Sequence, residues 1–154
     1  MIPVHNLFEA HLSVADLGRS MTFFSDVLEL KLAHLVADRR VAFYWIGAPG
    51  QGMLGLWETG ASPQRMSLHV AFAADLQTVV AAPAKLSAAG VTPRDFSEQA
   101  TDEPVVLAWM PAASIYFHDP DGNLLELLSM LPDAPEPELG VVSWSNWTAR
   151  TVRR

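Results

Sequence analysis

The sequence predicts an α+β fold built from two copies of one βαβββ unit. Three observations predict it. A strand-like alternation followed by an Asp-Leu pair and a helical repeat occurs twice, beginning near residues 6 and 67. Each helical stretch is followed by short apolar runs broken by Gly/Pro turn clusters. A histidine stands on the polar face of the opening strand in each half, His11 and then His69, 58 residues apart.

In the first half, residues 6–14 (NLFEAHLSV) alternate, with Phe8, Ala10, Leu12 and Val14 on one face and Glu9, His11 and Ser13 on the other. Asp16 is a suitable N-cap, and Leu17, Met21, Phe24 and Leu28 recur at helical spacing. Strands are expected at 30–36, 40–47 and 53–58. In the second half, 67–72 alternates and Asp75-Leu76 opens a helix that Gly90 stops. Pro83 lies inside that helix, so a kink or two short pieces are expected. Further strands are expected at 91–96 and 105–110, followed by a hairpin of 114–118 and 123–130. Its turn, Asp119-Pro120-Asp121-Gly122, has the residues a tight turn requires. The organisation is therefore a first unit over 1–62, a second over 63–131, and a tail over 132–154. The tail opens with a proline-rich linker and carries Trp144 and Trp147, two large rings that need cover.

Composition excludes several functions. With 10 basic and 17 acidic residues the net charge is −7, which argues against nucleic acid and against an anionic membrane surface. With no cysteine there is no disulfide, thiolate ligand or thiol nucleophile. The opening MIPVHNLFEAHLSV lacks the pattern of a signal peptide, and no stretch has the length of a membrane helix, so a cytoplasmic protein is expected.

The chemistry is expected at His11, His69 and Glu126. Each lies on a strand, on the face opposite the apolar residues; Glu126 is flanked by Leu125 and Leu127. A carboxylate so placed needs water, a cation or a donor. A strand histidine taken singly is ordinarily a hydrogen-bonded or surface residue; the duplication is what favours a ligand role. Two imidazoles and one carboxylate suit one divalent ion (Mn, Fe, Co, Ni or Zn), with positions left open for water or substrate.

Three stretches carry a family resemblance: HLSVADLGRSMTFFSDVLEL (11–30), HVAFAADL (69–76) and, most specific, SIYFHDPDGNLLEL (114–127). They resemble the vicinal oxygen chelate superfamily, which includes glyoxalase I, fosfomycin- and bleomycin-resistance proteins and extradiol dioxygenases. The resemblance spans roughly residues 6–130 and leaves out the tail. It implies paired modules forming a U-shaped, partly closed mixed-sheet barrel around a metal cavity, with His11, His69 and Glu126 at the family's metal positions. It also implies a homodimer. Glyoxalase I-like members have a fourth ligand, a glutamate, where the alignment puts Gly55; Glu58 lies on the other face and is expected to be solvated. Fosfomycin-type members carry several cations for a phosphonate, whereas three of the ten basic residues here sit in the tail.

Parity supplies the rest of the cavity. Tyr116 matches a family position that touches substrate, and it shares a face with Ser114 and His118. Its first-unit counterpart is expected to be Trp45, beside Phe43. Glu9 is a candidate general base, and Trp57 and Trp109 add aromatic lining. Tyr116 and Glu9 are thus the candidate catalytic residues; Trp45, Phe43, Trp57, Trp109 and His118 are candidates for substrate contact. The expected function is metal-dependent lyase, isomerase or dioxygenase chemistry on a small apolar or aromatic substrate with neighbouring oxygens. The alternatives are sequestration of a small molecule without catalysis, as in bleomycin-resistance relatives, and an interaction module using the tail.

Overall fold

The computed structural model describes residues 7–59 and 67–151. The expected boundary between residues 62 and 63 lies outside them. The fold is α+β, and the described residues form two mixed, open sheets with three α-helices. They divide into two units: residues up to Leu68 together with Asp119–Asn123, and His69–His118 together with Leu124 onward.

In the first unit β1 (Glu9–Val14) leads into α1 (Leu17–Asp26), then β2 (Lys31–Val36), β3 (Val41–Trp45) and β4 (Met53–Glu58). The sheet order is β1-β4-β3-β2, with β1 and β4 parallel. Asp16 caps α1, its Oδ1 accepting from Arg19 N at 2.8 Å. Leu17, Phe23 and Phe24 of α1 are buried together with Leu12, Val14, Tyr44, Leu54 and Leu56 of the sheet. Period-2 alternation puts those strand residues on one face and leaves Glu9, His11 and Ser13 on the other.

Glu58 is not solvated, as expected, but structural. Its Oε2 accepts from Leu17 N at 2.7 Å at the start of α1, and its carboxylate forms an ion pair with Arg40. A carboxylate at a helix N-terminus satisfies an otherwise orphaned N–H and favours the helix dipole. Arg40 stands at φ 52°, in the left-handed region.

In the second unit β5 (His69–Ala73) leads into α2 (Leu76–Ala88), followed by β6 (Val105–Leu107), β7 (Ala112–His118), β8 (Leu124–Met130), β9 (Val141–Ser143) and α3 (Trp144–Thr151). The sheet order is β5-β8-β7-β6-β9. α2 runs through Pro83 as one helix, without the expected break. The ring of Pro83 is buried with Val79, Ala82 and Leu86, so it contributes apolar burial where it forfeits a backbone bond.

The strand expected over 91–96 reduces to isolated bridges at Arg94, one to Tyr116 and one to Ala100. Pro93 has no N–H to give, and Asp95 turns the chain by accepting from Ser97 N and Gln99 N. The run 105–110 is strand only to Leu107. On the outer edge of β7, Arg94 and β6 together take the place that β2 fills in the first unit.

The tail folds onto its own unit. β9 pairs antiparallel with β6, and Glu103 holds the start of α3 by accepting from Ser145 N at 2.8 Å. Trp147 is only 5% exposed, so the ring finds its cover here. The Asp119 turn is closed by its own side chain, which accepts from Asp121 N, Asn123 N and Asn123 Nδ2, while Gly122 takes φ 87°. Grouped with the first unit, the turn is tied by Arg19 and Ser20, both of which bond Asp121. No helix of the described residues is long and apolar enough to cross a membrane.

Two predictions follow from this packing. Trp147→Ala should lower stability by about 3–5 kcal/mol, read from the urea midpoint; an unchanged midpoint would mean the tail adds nothing to the fold. Arg40 and Leu17 N hold the Glu58 carboxyl below its usual value of 4.5. Its stabilising contribution is therefore fully present above that value and is lost as pH falls through the lowered one. Glu58→Gln should melt below wild type near pH 7, with the gap narrowing as the pH is taken progressively below 4.5. A gap independent of pH would contradict the assignment.

Candidate metal and substrate site

The second unit gathers most of the expected residues. On the face of its sheet away from α2, register sets His69, Leu124 and His118 in one row, and Ala71, Glu126 and Tyr116 in the next. Glu126 is 4% exposed. Its Oε2 lies 3.2 Å from His69 Nε2. Among the described residues its Oε1 has no hydrogen-bond partner, and neither does the buried Ser114 Oγ nearby on the same face. Tyr116 is 5% exposed, with its ring centroid 6.3 Å from that of His69. Burial, and then the negative charge of Glu126, push its phenol well above the usual tyrosine range. Tyr116 is therefore a proton holder and hydrogen-bond donor at neutral pH. His118 Nε2 is 3.8 Å from Glu98 Oε2.

The first unit gathers a second group. Register on the face away from α1 sets Glu9, Met53 and Trp45 in one row, His11, Gly55 and Phe43 in the next, and Ser13, Trp57 and Val41 in the third. His11 Nδ1 accepts from Trp57 Nε1 at 2.5 Å, and His11 Nε2 lies 3.4 Å from Glu9 Oε1. Phe43 stands edge-on to the imidazole at 6.1 Å. A side chain at position 55 would put its Cβ 2.5 Å from His11 Nδ1, so Gly55 supplies the space that the His11 ring occupies. Glu58 is turned to α1 with both carboxylate oxygens engaged, away from this group.

Trp109 stands in the turn between β6 and β7, 55% exposed, at the end of β7 away from Tyr116. Trp45 is half-buried at the end of β3, paired with Lys31 and Met53.

The strand and face expected for each histidine hold, but their equivalence does not extend to register. His11 lies directly across from Gly55, whereas His69 lies across from Leu124 and meets Glu126 diagonally. Counted from the hairpins, Gly55 matches Glu126, and the first-unit counterpart of Tyr116 is Phe43 rather than Trp45. Counted from the histidines, the residue diagonal to His11 is Trp57.

Sequence reasoning missed Arg39, whose guanidinium sits 4.9 Å over the Trp57 ring, and Phe96, 6.2 Å from the Tyr116 ring. Phe96 was obscured by reading 91–96 as a strand; the Asp95-x-Ser97 turn pattern was the available signal.

The donor chemistry fits a divalent ion. A buried carboxylate with a free oxygen beside an imidazole nitrogen is a hard-to-borderline pair suited to first-row metals. Among the described residues no three His, Cys, Asp or Glu side chains are gathered closely enough to hold one. His69 and Glu126 are the ready pair.

Comparison with known proteins places these features in a family. The model of the Glyoxalase/Bleomycin resistance protein/Dioxygenase superfamily matches residues 6–127. Among solved structures, the chain is similar to integron cassette protein HFX_CASS4, from the mobile metagenome of Halifax Harbour sewage outfall. The two are 29% identical over 82% of this chain and 100% of that one, with a TM-score of 0.70. It shares its fold with lactoylglutathione lyase from Agrobacterium tumefaciens, at 20% identity over 83% and 96% of the two chains and a TM-score of 0.64. It also shares its fold with fosfomycin resistance protein FosX from Mesorhizobium loti, at 20% identity over 86% and 96% and a TM-score of 0.56. With two βαβ-led sheets and a family match across most of its length, the chain belongs to the glyoxalase/bleomycin resistance protein/dioxygenase superfamily.

Proposed function

We propose that this protein is an enzyme that binds one divalent ion (Mn, Fe, Co, Ni or Zn) through His11, His69 and Glu126. It acts on a small apolar or aromatic substrate with neighbouring oxygens. One observation carries the reading: Glu126 is buried, its Oε1 has no partner among the described residues, and its Oε2 is 3.2 Å from His69 Nε2. A buried carboxylate left in that state is unfavourable, and a cation is the partner that relieves it most fully. When bound, the ion supplies Lewis acidity to two adjacent substrate oxygens. Lyase, isomerase and extradiol-type dioxygenase chemistry all use that device.

The protein residues take the remaining roles. Tyr116 keeps its proton and donates a hydrogen bond to a substrate oxygen. Glu9, partly exposed beside His11, is the candidate base. Phe43, Trp45 and Trp57 line the first unit's face, His118 the second's, and Trp109 adds an exposed ring at the β6–β7 turn. The protein is cytoplasmic and works as a homodimer; its modules are 1–62 and 63–131, with the tail from 132.

Metal analysis of protein purified without a histidine tag tests the site. Wild type should bind close to one ion per chain. His11→Ala, His69→Ala and Glu126→Ala should each lose more than the roughly 10- to 100-fold in affinity that removal of an outer-shell partner costs. Metal at about 100 times its Kd should raise wild-type stability by about 2.7 kcal/mol and leave Glu126→Ala unmoved. Equal, weak binding by all four proteins would remove the metal reading and favour metal-free sequestration. Light scattering at micromolar concentration should give twice the 16.8 kDa of one chain; a monomer would contradict the homodimer.

A further inference from the structure

We propose that the loop Arg94–Ala100 is a built rim of the substrate site, and that Phe96 is the residue by which the site selects a flat aromatic ring bearing the adjacent oxygens. The proposal rests on the metal reading above and narrows it to one substrate class.

The loop is held from both ends. Arg94 N donates to Tyr116 O at 2.7 Å and Tyr116 N donates back to Arg94 O at 3.0 Å, so the rim is pinned to the residue whose ring faces Glu126. Inside it, Asp95 Oδ1 accepts from Ser97 N and Gln99 N at 2.8 and 2.9 Å, and Asp95 N donates to Gln99 O at 2.8 Å. Arg94 Nη1 donates to Glu98 O at 2.6 Å, which closes the loop across its base. Glu98 sits at φ 60°, a conformation that a non-glycine residue adopts only where its surroundings fix it.

This bracing presents one apolar side chain. Phe96 is 56% exposed, yet its ring is fixed edge-on to Tyr116, at 6.2 Å and 72°. Tyr116 in turn lies 6.3 Å from His69 at 33°. Three rings thus stand in succession, ending at the His69–Glu126 pair. An edge-on contact uses the edge of one ring and leaves other ring surface open to stack. Because the loop already holds the ring in place, a flat apolar partner laid against it buries further apolar surface at little ordering cost.

Charge narrows the ligand further. The acidic groups of this cluster are Asp95, Glu98 and Glu126, and the Arg94 guanidinium is turned to Glu98 O. Such a wall suits the face of a neutral ring better than a phosphonate or phosphate.

The test uses two probes that each offer adjacent oxygens, 4-nitrocatechol with a ring and acetohydroxamate without one, titrated into Mn-loaded protein. Phe96→Ala should weaken 4-nitrocatechol by about tenfold while leaving acetohydroxamate within about twofold. Phe96→Trp should restore the loss. Equal loss of both probes, or of neither, overturns the rim. So does unchanged ring binding with a shift in oligomeric state, which would make Phe96 a contact between copies. If metal-loaded wild type binds acetohydroxamate but not 4-nitrocatechol, only the rim falls. If it binds neither, the reading that the bound ion takes adjacent substrate oxygens falls and takes the rim with it.

Discussion

Leu125 faces the core from β8 and is fully buried beneath α2, so the pleat turns Glu126 to the opposite face. That face is not open to water at this point: Glu126 is 4% exposed. The strand cannot slip to relieve it, because a shift by one residue would send Glu126 into the core and the leucines outward. Everything about the second unit's site follows from this fixed, buried charge. Together with burial of the phenol, it keeps the Tyr116 proton in place; its Oε2 lies 3.2 Å from His69 Nε2, and its other oxygen has no partner among the described residues. A group like that lowers stability on its own account and is retained where it binds something.

The fold was legible wherever local chemistry and tertiary packing agreed. The strands of the first unit and the α1 cap emerge near where alternation and Asp16 put them. The misreadings have physical causes. Pro83 signalled a break by local rules, but burial of its ring with Val79 and Leu86 outweighed the lost backbone bond. Val91–Phe96 had strand composition, yet Pro93 and the Asp95 side chain gave its backbone other partners. Glu58 looked like any charged strand end, since nothing local shows that Leu17 N and Arg40, distant in sequence or across the sheet, require it.

For the site, residue types and faces were legible, and register was not. Parity decides which side of a sheet a residue takes, so His11, His69, Glu126 and Tyr116 could be assigned to faces from their neighbours alone. Register depends on loop lengths and on how each opening strand slides along its partner, and those are tertiary quantities. That is why His11 sits across from Gly55 while His69 sits across from Leu124. It is also why Gly55, which reads as a missing ligand, proves in addition to be the space that admits the His11 ring.

The two histidines therefore meet the same diagonal position with opposite chemistry. In the first unit that position is Trp57, an N–H that can only donate, and it engages His11 Nδ1. In the second it is Glu126, which when ionised can only accept, and it faces His69 Nε2. A donor at Nδ1 leaves the His11 proton on Nε2, toward Glu9, in the neutral ring. From one repeated plan, the second unit sets a carboxylate against its histidine, whereas the first unit holds His11 between an indole N–H at Nδ1 and Glu9 at Nε2. The repeated plan thus carries different surroundings in each unit: Glu126 faces His69 in the second, and Trp57, Phe43 and Gly55 enclose the His11 ring in the first.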